Sequence, residues 1–585
     1  MSEQIIHHGQ GVSEGVAFGP AYLISQDSLR VPHRFVKPDQ VEDEIARLEA
    51  ALVKARGDIG RVRKALVDAD KAGEAAIFDA HLLILEDNDL TESVRALIRE
   101  EKVNAEFAFR TRMIDAIAKL ERSESDYLRE RVRDLRDVEH RVIRSLLGER
   151  EPAVGDLMQN AILVAHDLPA SLTAALDRDR ILGIATELGG PNSHTSILAR
   201  ALEIPTVIDL GPVLHRLTHG ELVLLDGREG ILVQNPSEET ITEYERIRAK
   251  IERKRAEWVS LADEPGVTSD GVDLTFLANI DFPREVEVAL TFGCEGVGLY
   301  RTEYLFLQSG SEATEEEQYE VYAGVVRRMA GRPVTIRTVD LGGDKLLEGM
   351  EVEDNPFLGW RAIRYSLDRP EVFQAQLRAI LRAGALGPVE IMFPMLTTLE
   401  EADAALDHVA AARAELERAG TPHAEECPVG ALIETPGAAL LAASLAERFA
   451  FLSLGTNDLI QYTLAVDRGN RRIAHLFQPF HPAVLRLIDE VARATREAGA
   501  ELAVCGEMGS NSRAAALLLG FGVRRFSMVP ARIPRVKQVL RRVDSNRARE
   551  VAEAALRARS PEEVRERIDE GLGSAFRRPA EDAEP

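Results

Sequence analysis

PVGALIETP, residues 428–436, is followed after a helical stretch by FLSLGTND, residues 451–458. Each begins as an apolar run of strand length and ends on polar groups, Glu434 in the first, Asn457 and Asp458 in the second. A short apolar run closed by turn residues reads as a strand buried on both faces. The same unit recurs outward in both directions. VDLTFLANI (272–280), GVGLYRTE (296–303), PVTIRTVDLG (333–342) and PVEIMFPML (388–396) precede it; AELAVCGEM (500–508) and RRFSMVP (524–530) follow. Helical sequence such as EEADAALDHVAAARAELERA (400–419) separates them. Eight strands alternating with helices predict a (β/α)8 TIM-type barrel. A doubly wound sheet is the alternative, because a count of strands does not by itself prove closure.

Upstream the texture differs. No proline occurs between Pro38 and Pro152, and Val41, Ile45, Leu48, Leu52, Ala55, Ile59, Val62 and Leu66 alternate steps of four and three. That spacing predicts a helix with a narrow apolar seam. AAIFDAHLLILEDNDL and SDYLRERVRDLRDVEHRVIRSLLG continue in helical style. On either side EGVAFGPAYLI, NAILVAHDL, ILGIAT, IPTVIDLG, ELVLLDG and GILVQNP read as strands punctuated by Gly and Asp. The chain is thus predicted to be α/β and multidomain. Residues 1–30 and 150–235 form an α/β domain, with a helical bundle inserted at 31–149. A linker helix follows at 236–262, the barrel spans 263–575, and residues 576–585 are a disordered tail.

The 585 residues carry a net charge of −25 and are 45% hydrophobic. That charge opposes nucleic-acid binding, which needs basic surface to displace counterions. It suits a partner with a basic patch. The cysteines Cys294, Cys427 and Cys505 are sparse and without metal-ligand spacing, as in a reducing cytoplasm. No apolar run has membrane-spanning length and the start lacks a signal-peptide core, so a cytoplasmic protein without membrane insertion is expected.

In such a barrel, function gathers at the C-terminal ends of the strands. Arg301 and Glu303 follow the second strand; Arg337 and Asp340 end the third, with Gly342–Lys345 after them. Glu434 ends the fifth, Asn457 and Asp458 the sixth with Arg468 beyond, and Cys505 the seventh. One arginine there is an ordinary ion pair. Three arginines and a lysine at one mouth predict a small anion bearing carboxylate and phosphate. Glu434 and Asp458 add two hard oxygen ligands suited to Mg²⁺, which keeps positions for water and substrate phosphate. Cys505 is either a small buried residue or a proton donor to the ligand. Outside the barrel, GGPNSHTSILAR (189–200) puts His194 at a helix start among hydroxyl residues. It reads as a first-turn surface residue behind an Asn192 or Ser193 cap, or as a nitrogen nucleophile whose phosphorylated form gains from the helix N-terminus.

GGPNSHTSILAR, GVGLYRTEYLF, RTVDLGGDK, NPFLGWRAIR, ETPGAALL, GTNDLIQYTLAVDRGN and VCGEMG occur in one order along almost the whole chain. The chain resembles enzyme I of the bacterial phosphoenolpyruvate-dependent sugar phosphotransferase system. The resemblance implies that His194, in a mobile phosphohistidine domain, takes the phosphoryl group at Nε2, with Mg²⁺ held by Glu434 and Asp458. It implies that Arg301, Arg337, Asn457 and Arg468 bind phosphoenolpyruvate and that Cys505 protonates the enolate to pyruvate. It further implies a homodimer formed through the barrel and a helical insert that docks the phosphocarrier HPr, with His81 and Glu86 as candidate contacts. Pro191-Asn192 departs from the family pattern, which carries a basic residue and a small one there.

Two other readings are weighed against this one. A phosphoenolpyruvate synthase or dikinase would need an ATP-grasp domain where the helical insert stands. A degenerate binding protein would have lost His194 or a metal ligand, and none is missing. A regulatory relay in place of sugar uptake stays open, since surface residues choose the acceptor.

Overall fold

The computed structural model describes residues 4–13, 15–24, 31–68, 78, 81–82, 84–85, 87–121, 126–147, 160–168, 181–189, 196, 199, 204–309, 313–343, 353–468, 470 and 472–576. The chain divides into two compact units, Met1–Lys254 and Arg255–Pro585.

In the first unit an eight-stranded sheet is built from β1 (Ile5–His8), β2 (Gln10–Ser13), β3 (Val16–Ile24), β4 (Ala161–Ala165), β5 (Ile181–Thr186), β6 (Thr206–Ile208), β7 (Leu222–Asp226) and β8 (Ile231–Gln234). Their order is β1-β8-β7-β3-β4-β5-β6-β2. The sequence reading misses β1 and β2, which are four-residue edge strands without an apolar run of strand length. Only Gly9 separates them, yet they pair with opposite ends of the sheet, so the sheet curls until its edges nearly meet. The closeness is visible at two glycines. A Cβ on Gly9 would lie 2.4 Å from the Ile208 carbonyl oxygen, and one on Gly11 2.1 Å from that of Gly227.

Between β3 and β4 run α1 (Val41–Asp68), α2 (Asn88–Glu101), α3 (Ala105–Glu121) and α4 (Asp126–Leu147). The predicted seam of α1 is the face it buries: Val41, Ile45, Leu48, Leu52, Ala55 and Ile59 pack with Val94, Ile98, Met113 and Val142 of the other three helices. Asp87 caps α2 by accepting from the N–H groups of Asp89 and Leu90. The helix Glu238–Ser260 (α5) is highly charged, and the division between the two units falls inside it. Among the described residues no helix is long and apolar enough to cross a membrane.

The second unit is a closed barrel of parallel strands: β9 (Thr275–Ile280), β10 (Val297–Tyr300), β11 (Val334–Arg337), β12 (Val389–Phe393), β13 (Val429–Ile433), β14 (Phe451–Leu454), β15 (Glu501–Val504) and β16 (Arg525–Met528). β16 pairs with β9 from Arg525↔Thr275 to Met528↔Ala278, which closes the ring and excludes the doubly wound alternative. All eight strands fall on the runs read from the sequence. Helices cover the outside, several with the capping that their sequences announce. Thr314 and Thr398 each cap a helix reciprocally with a glutamate three residues on, Glu317 and Glu401. The predicted tail lies outside the described residues except for Phe576, which ends the last helix.

Candidate active site at the barrel mouth

The C-terminal strand ends carry a chain of alternating charges. Arg337 closes β11 and is buried. Its Nη2 donates to Glu303 Oε1 at 2.7 Å and lies 3.3 Å from Asp340 Oδ2. The same Glu303 oxygen accepts the Asp340 N–H at 3.0 Å, which holds the loop after β11 against the helix after β10. Arg361 continues the chain. It donates through Nε and Nη2 to the two Asp340 oxygens at 2.8 and 3.0 Å, and through Nη2 to Asp458 Oδ2 at 3.0 Å. Its Nη1 reaches the Tyr462 hydroxyl at 3.0 Å. Arg301 donates to Asp281 Oδ1 at 3.1 Å, just past the end of β9.

These carboxylates decide the charge states. Burial works against the Arg337 and Arg361 cations, but Glu303 and Asp340 around the first, and Asp340 and Asp458 around the second, outweigh it and raise both pKa values. Asp281 does the same for Arg301. Glu434, at the end of β13, is the opposite case. Among the described residues it accepts only the Met395 N–H, at 2.7 Å, and burial followed by Asp458 and Asp340 pushes it up to about 8. The arginines therefore do not crowd one another bare; each is interleaved with an acid. Among the described residues four arginines (301, 337, 361, 468) face five carboxylates (281, 303, 340, 434, 458), so an entering cation has a place once Glu434 releases its proton.

Asp458 shows where. It lies in the first turn of the helix Thr456–Leu464, directly after β14. Its Oδ1 is buried without a hydrogen-bond partner among the described residues, and Arg468 Nη2 lies 3.8 Å from it. Gly455 leaves room for the neighbouring carboxylate, since a Cβ there would lie 2.9 Å from Glu434 Oε2. Two acidic side chains, one with an oxygen that lacks a hydrogen-bond partner among the described residues and one kept protonated by burial and its acidic neighbours, fit a divalent ion that completes its shell with water and ligand oxygens.

Asn457 sits partly exposed beside them, its Oδ1 accepting the Glu507 N–H at 2.9 Å. Arg468 is exposed, with its backbone N–H on Gln461 Oε1 at 3.3 Å. Cys505, one residue past β15, is buried against Leu299, Met392, Leu432 and Phe451 of the barrel interior. That burial pushes its thiol up to about 11, with Glu434 adding to the shift, so the sulfur is protonated at neutral pH.

The structure thus brings Arg301, Arg337, Glu434, Asn457, Asp458, Arg468 and Cys505 to one mouth. Arg361, Tyr462 and Asp281 were not singled out by sequence reasoning. Arg361 lies inside the quoted NPFLGWRAIR but belongs to a loop before a helix, where no strand-end rule finds it. His194, Pro191-Asn192, Lys345 and Glu86 lie outside the described residues. His81 requires a correction. It is 1% exposed and packs edge-on against Phe78 with ring centroids 5.8 Å apart. The apolar face of the bundle takes it inward, so it is not a surface contact.

Three family models match in succession: the N-terminal domain of the PEP-utilising enzymes over residues 8–131, their mobile domain over 157–230 and their PEP-binding domain over 255–545. The barrel and its mouth are therefore those of a phosphoenolpyruvate-utilising enzyme. Phosphoenolpyruvate-protein phosphotransferases are similar over nearly the whole length. That of Haemophilus influenzae is 40% identical over 562 residues, covering 96% of this chain and 98% of the relative. That of Geobacillus stearothermophilus is 40% identical over 95% of this chain and 96% of its own, and that of Listeria monocytogenes 40% over 96% and 98%. The chain belongs to the phosphoenolpyruvate-protein phosphotransferase family and is a phosphotransferase.

Proposed function

We propose that this chain moves the phosphoryl group of phosphoenolpyruvate to Nε2 of His194 and from there to a histidine of the phosphocarrier HPr, as the first step of sugar uptake. The observation that carries the reading is Asp458 Oδ1, buried and without a hydrogen-bond partner among the described residues, beside Glu434 at a mouth where arginines alternate with acids. Glu434 and Asp458 would hold Mg²⁺, which neutralises phosphate oxygens when bound. Arg301 and Arg337 take the carboxylate and phosphate of the substrate, with Arg468 and Asn457 closing on the phosphate from the helix Thr456–Leu464 and the loop after it. Arg361 keeps Asp340 and Asp458 in place from behind.

The imidazole attacks phosphorus, the P–O bond to the enol breaks, and pyruvate enolate leaves. Cys505, kept as a thiol by burial, protonates the enolate at C3. The reading extends to a homodimer through the barrel, to HPr docking on α1–α4, and to a cytoplasmic setting. The test is incubation of the purified chain with radiolabelled phosphoenolpyruvate and Mg²⁺, with and without HPr. Acid-labile, base-stable label that requires His194 and passes to HPr is expected. Label that persists in His194→Ala would refute the carrier residue, and label that never transfers would refute HPr as acceptor.

A further inference from the structure

Cys505 stands where the barrel's own ladder stops holding the chain. Its N–H and that of Gly506 reach back to the Leu454 carbonyl, at 3.2 and 3.3 Å. The β15–β16 pairing ends at Val504↔Phe526, so the Cys505 carbonyl has no strand partner. A side chain of β9 takes that place: Asn279 Nδ2 donates to the Cys505 carbonyl oxygen at 2.8 Å. Ser527 of β16 donates its hydroxyl to Asn279 Oδ1 at 2.6 Å. This sets the amide's orientation, because the flipped form would put two acceptor oxygens face to face. β10 contributes by omission. A Cβ on Gly298 would lie 2.5 Å from Ser527 Oγ, so only glycine admits the serine. Three strands thus commit polar or missing side chains to one carbonyl, in an interior that apolar residues would fill at no desolvation cost.

We propose that Asn279 is a positioning residue for the proton-transfer step, holding the Cys505 peptide so that the thiol faces C3 of the enolate. The inference rests on the reading of Cys505 as proton donor. In the step concerned, the enolate's electron pair forms the C–H bond at C3 and the S–H bond breaks. The thiolate left behind recovers its proton from water. Asn279 touches none of the reacting atoms; it limits the angle from which the thiol delivers the proton.

The experiment measures steady-state pyruvate formation by the full chain with Mg²⁺ and HPr, in H₂O and D₂O. The chains compared are wild type, Asn279→Ala, Asn279→Asp, Cys505→Ala and the Asn279→Ala/Cys505→Ala double variant. Asn279→Ala is expected to lower kcat about tenfold, as a misplaced reacting group does, while KM for phosphoenolpyruvate stays within about twofold. Its solvent isotope effect on kcat rises, because proton delivery becomes slower. Asn279→Asp keeps the volume and the Ser527 bond but loses the N–H, and is expected to show the same loss. In the Cys505→Ala background Asn279→Ala adds nothing further. Wild-type kcat in Asn279→Asp, or an undiminished tenfold loss in the double variant, overturns the positioning role and leaves Cys505 as donor. Wild-type kcat in Cys505→Ala instead removes the donor itself.

Discussion

Arg361→Met isolates the contribution of the central link in the charged chain. The side chains of Arg361, Asp340 and Asp458 are 6%, 2% and 8% exposed. Methionine replaces most of the stem's volume and none of its charge. Asp340 would then keep Arg337, 3.3 Å away, and Asp458 would keep Arg468 at 3.8 Å. Removing one partner of a buried ion pair costs about 3–5 kcal/mol, because the remaining charge stays desolvated. At roughly 2 °C per kcal/mol for a large domain, the transition of the barrel falls by about 6–10 °C. Scanning calorimetry of the full chain measures it, with and without Mg²⁺. The cation is expected to raise the variant's transition more than the wild type's, since a ligand of the native state stabilises in proportion to its affinity and the freed carboxylates attract it more strongly. A transition within about 2 °C of wild type, unmoved by Mg²⁺, would refute the view that Arg361 neutralises these acids.

Three further outcomes are expected. Gly455→Ala should weaken the Mg²⁺ dependence of phosphorylation about tenfold or more, because its Cβ would meet Glu434 Cβ at 2.7 Å and Oε2 at 2.9 Å and displace a carboxylate that positions the ion; a metal titration unchanged from wild type would contradict this. Glu285 accepts the Asp281 and Phe282 N–H groups at 2.6 and 2.9 Å, and burial with Asp281 beside it pushes its carboxyl up to about 7. The folded state therefore holds a proton that the unfolded chain has released, so stability falls as pH rises from the ordinary carboxylate range to about 7; Glu285→Gln should raise the melting temperature at pH 8 and leave it unchanged near pH 4. With the Cys505 thiol pushed up to about 11, proton donation should persist through pH 9 and fail only as the thiol ionises above that; a decline of pyruvate formation at pH 8 that disappears in Cys505→Ala would contradict the assignment.

The sequence by itself determined the barrel, the helical bundle and the identity of most groups at the barrel mouth. Buried parallel strands need unbroken apolar runs such as VGALI (429–433), and a half-buried helix needs the four-and-three spacing of Val41 to Ile59. Both demands are local and therefore legible. A functional group at a strand end is legible too, because it interrupts its run at a fixed place, as Glu434 and Asp458 do.

What only the tertiary structure decided depends on distances between residues far apart in the chain. β1 and β2 are strands because the curled sheet has two edges to cover, and nothing in IIHH or QGVS announces that. His81 is a polar residue in a largely apolar helical stretch, and the bundle takes it inward against Phe78. Arg361 reads as one more arginine until Asp340 and Asp458 close on it from two other segments. Asn279 reads as a polar residue in a strand until Cys505, 226 positions away, presents an unpaired carbonyl. Burial and pairing are sums over neighbours, and a one-dimensional pattern records a residue's own chemistry without recording who its neighbours will be.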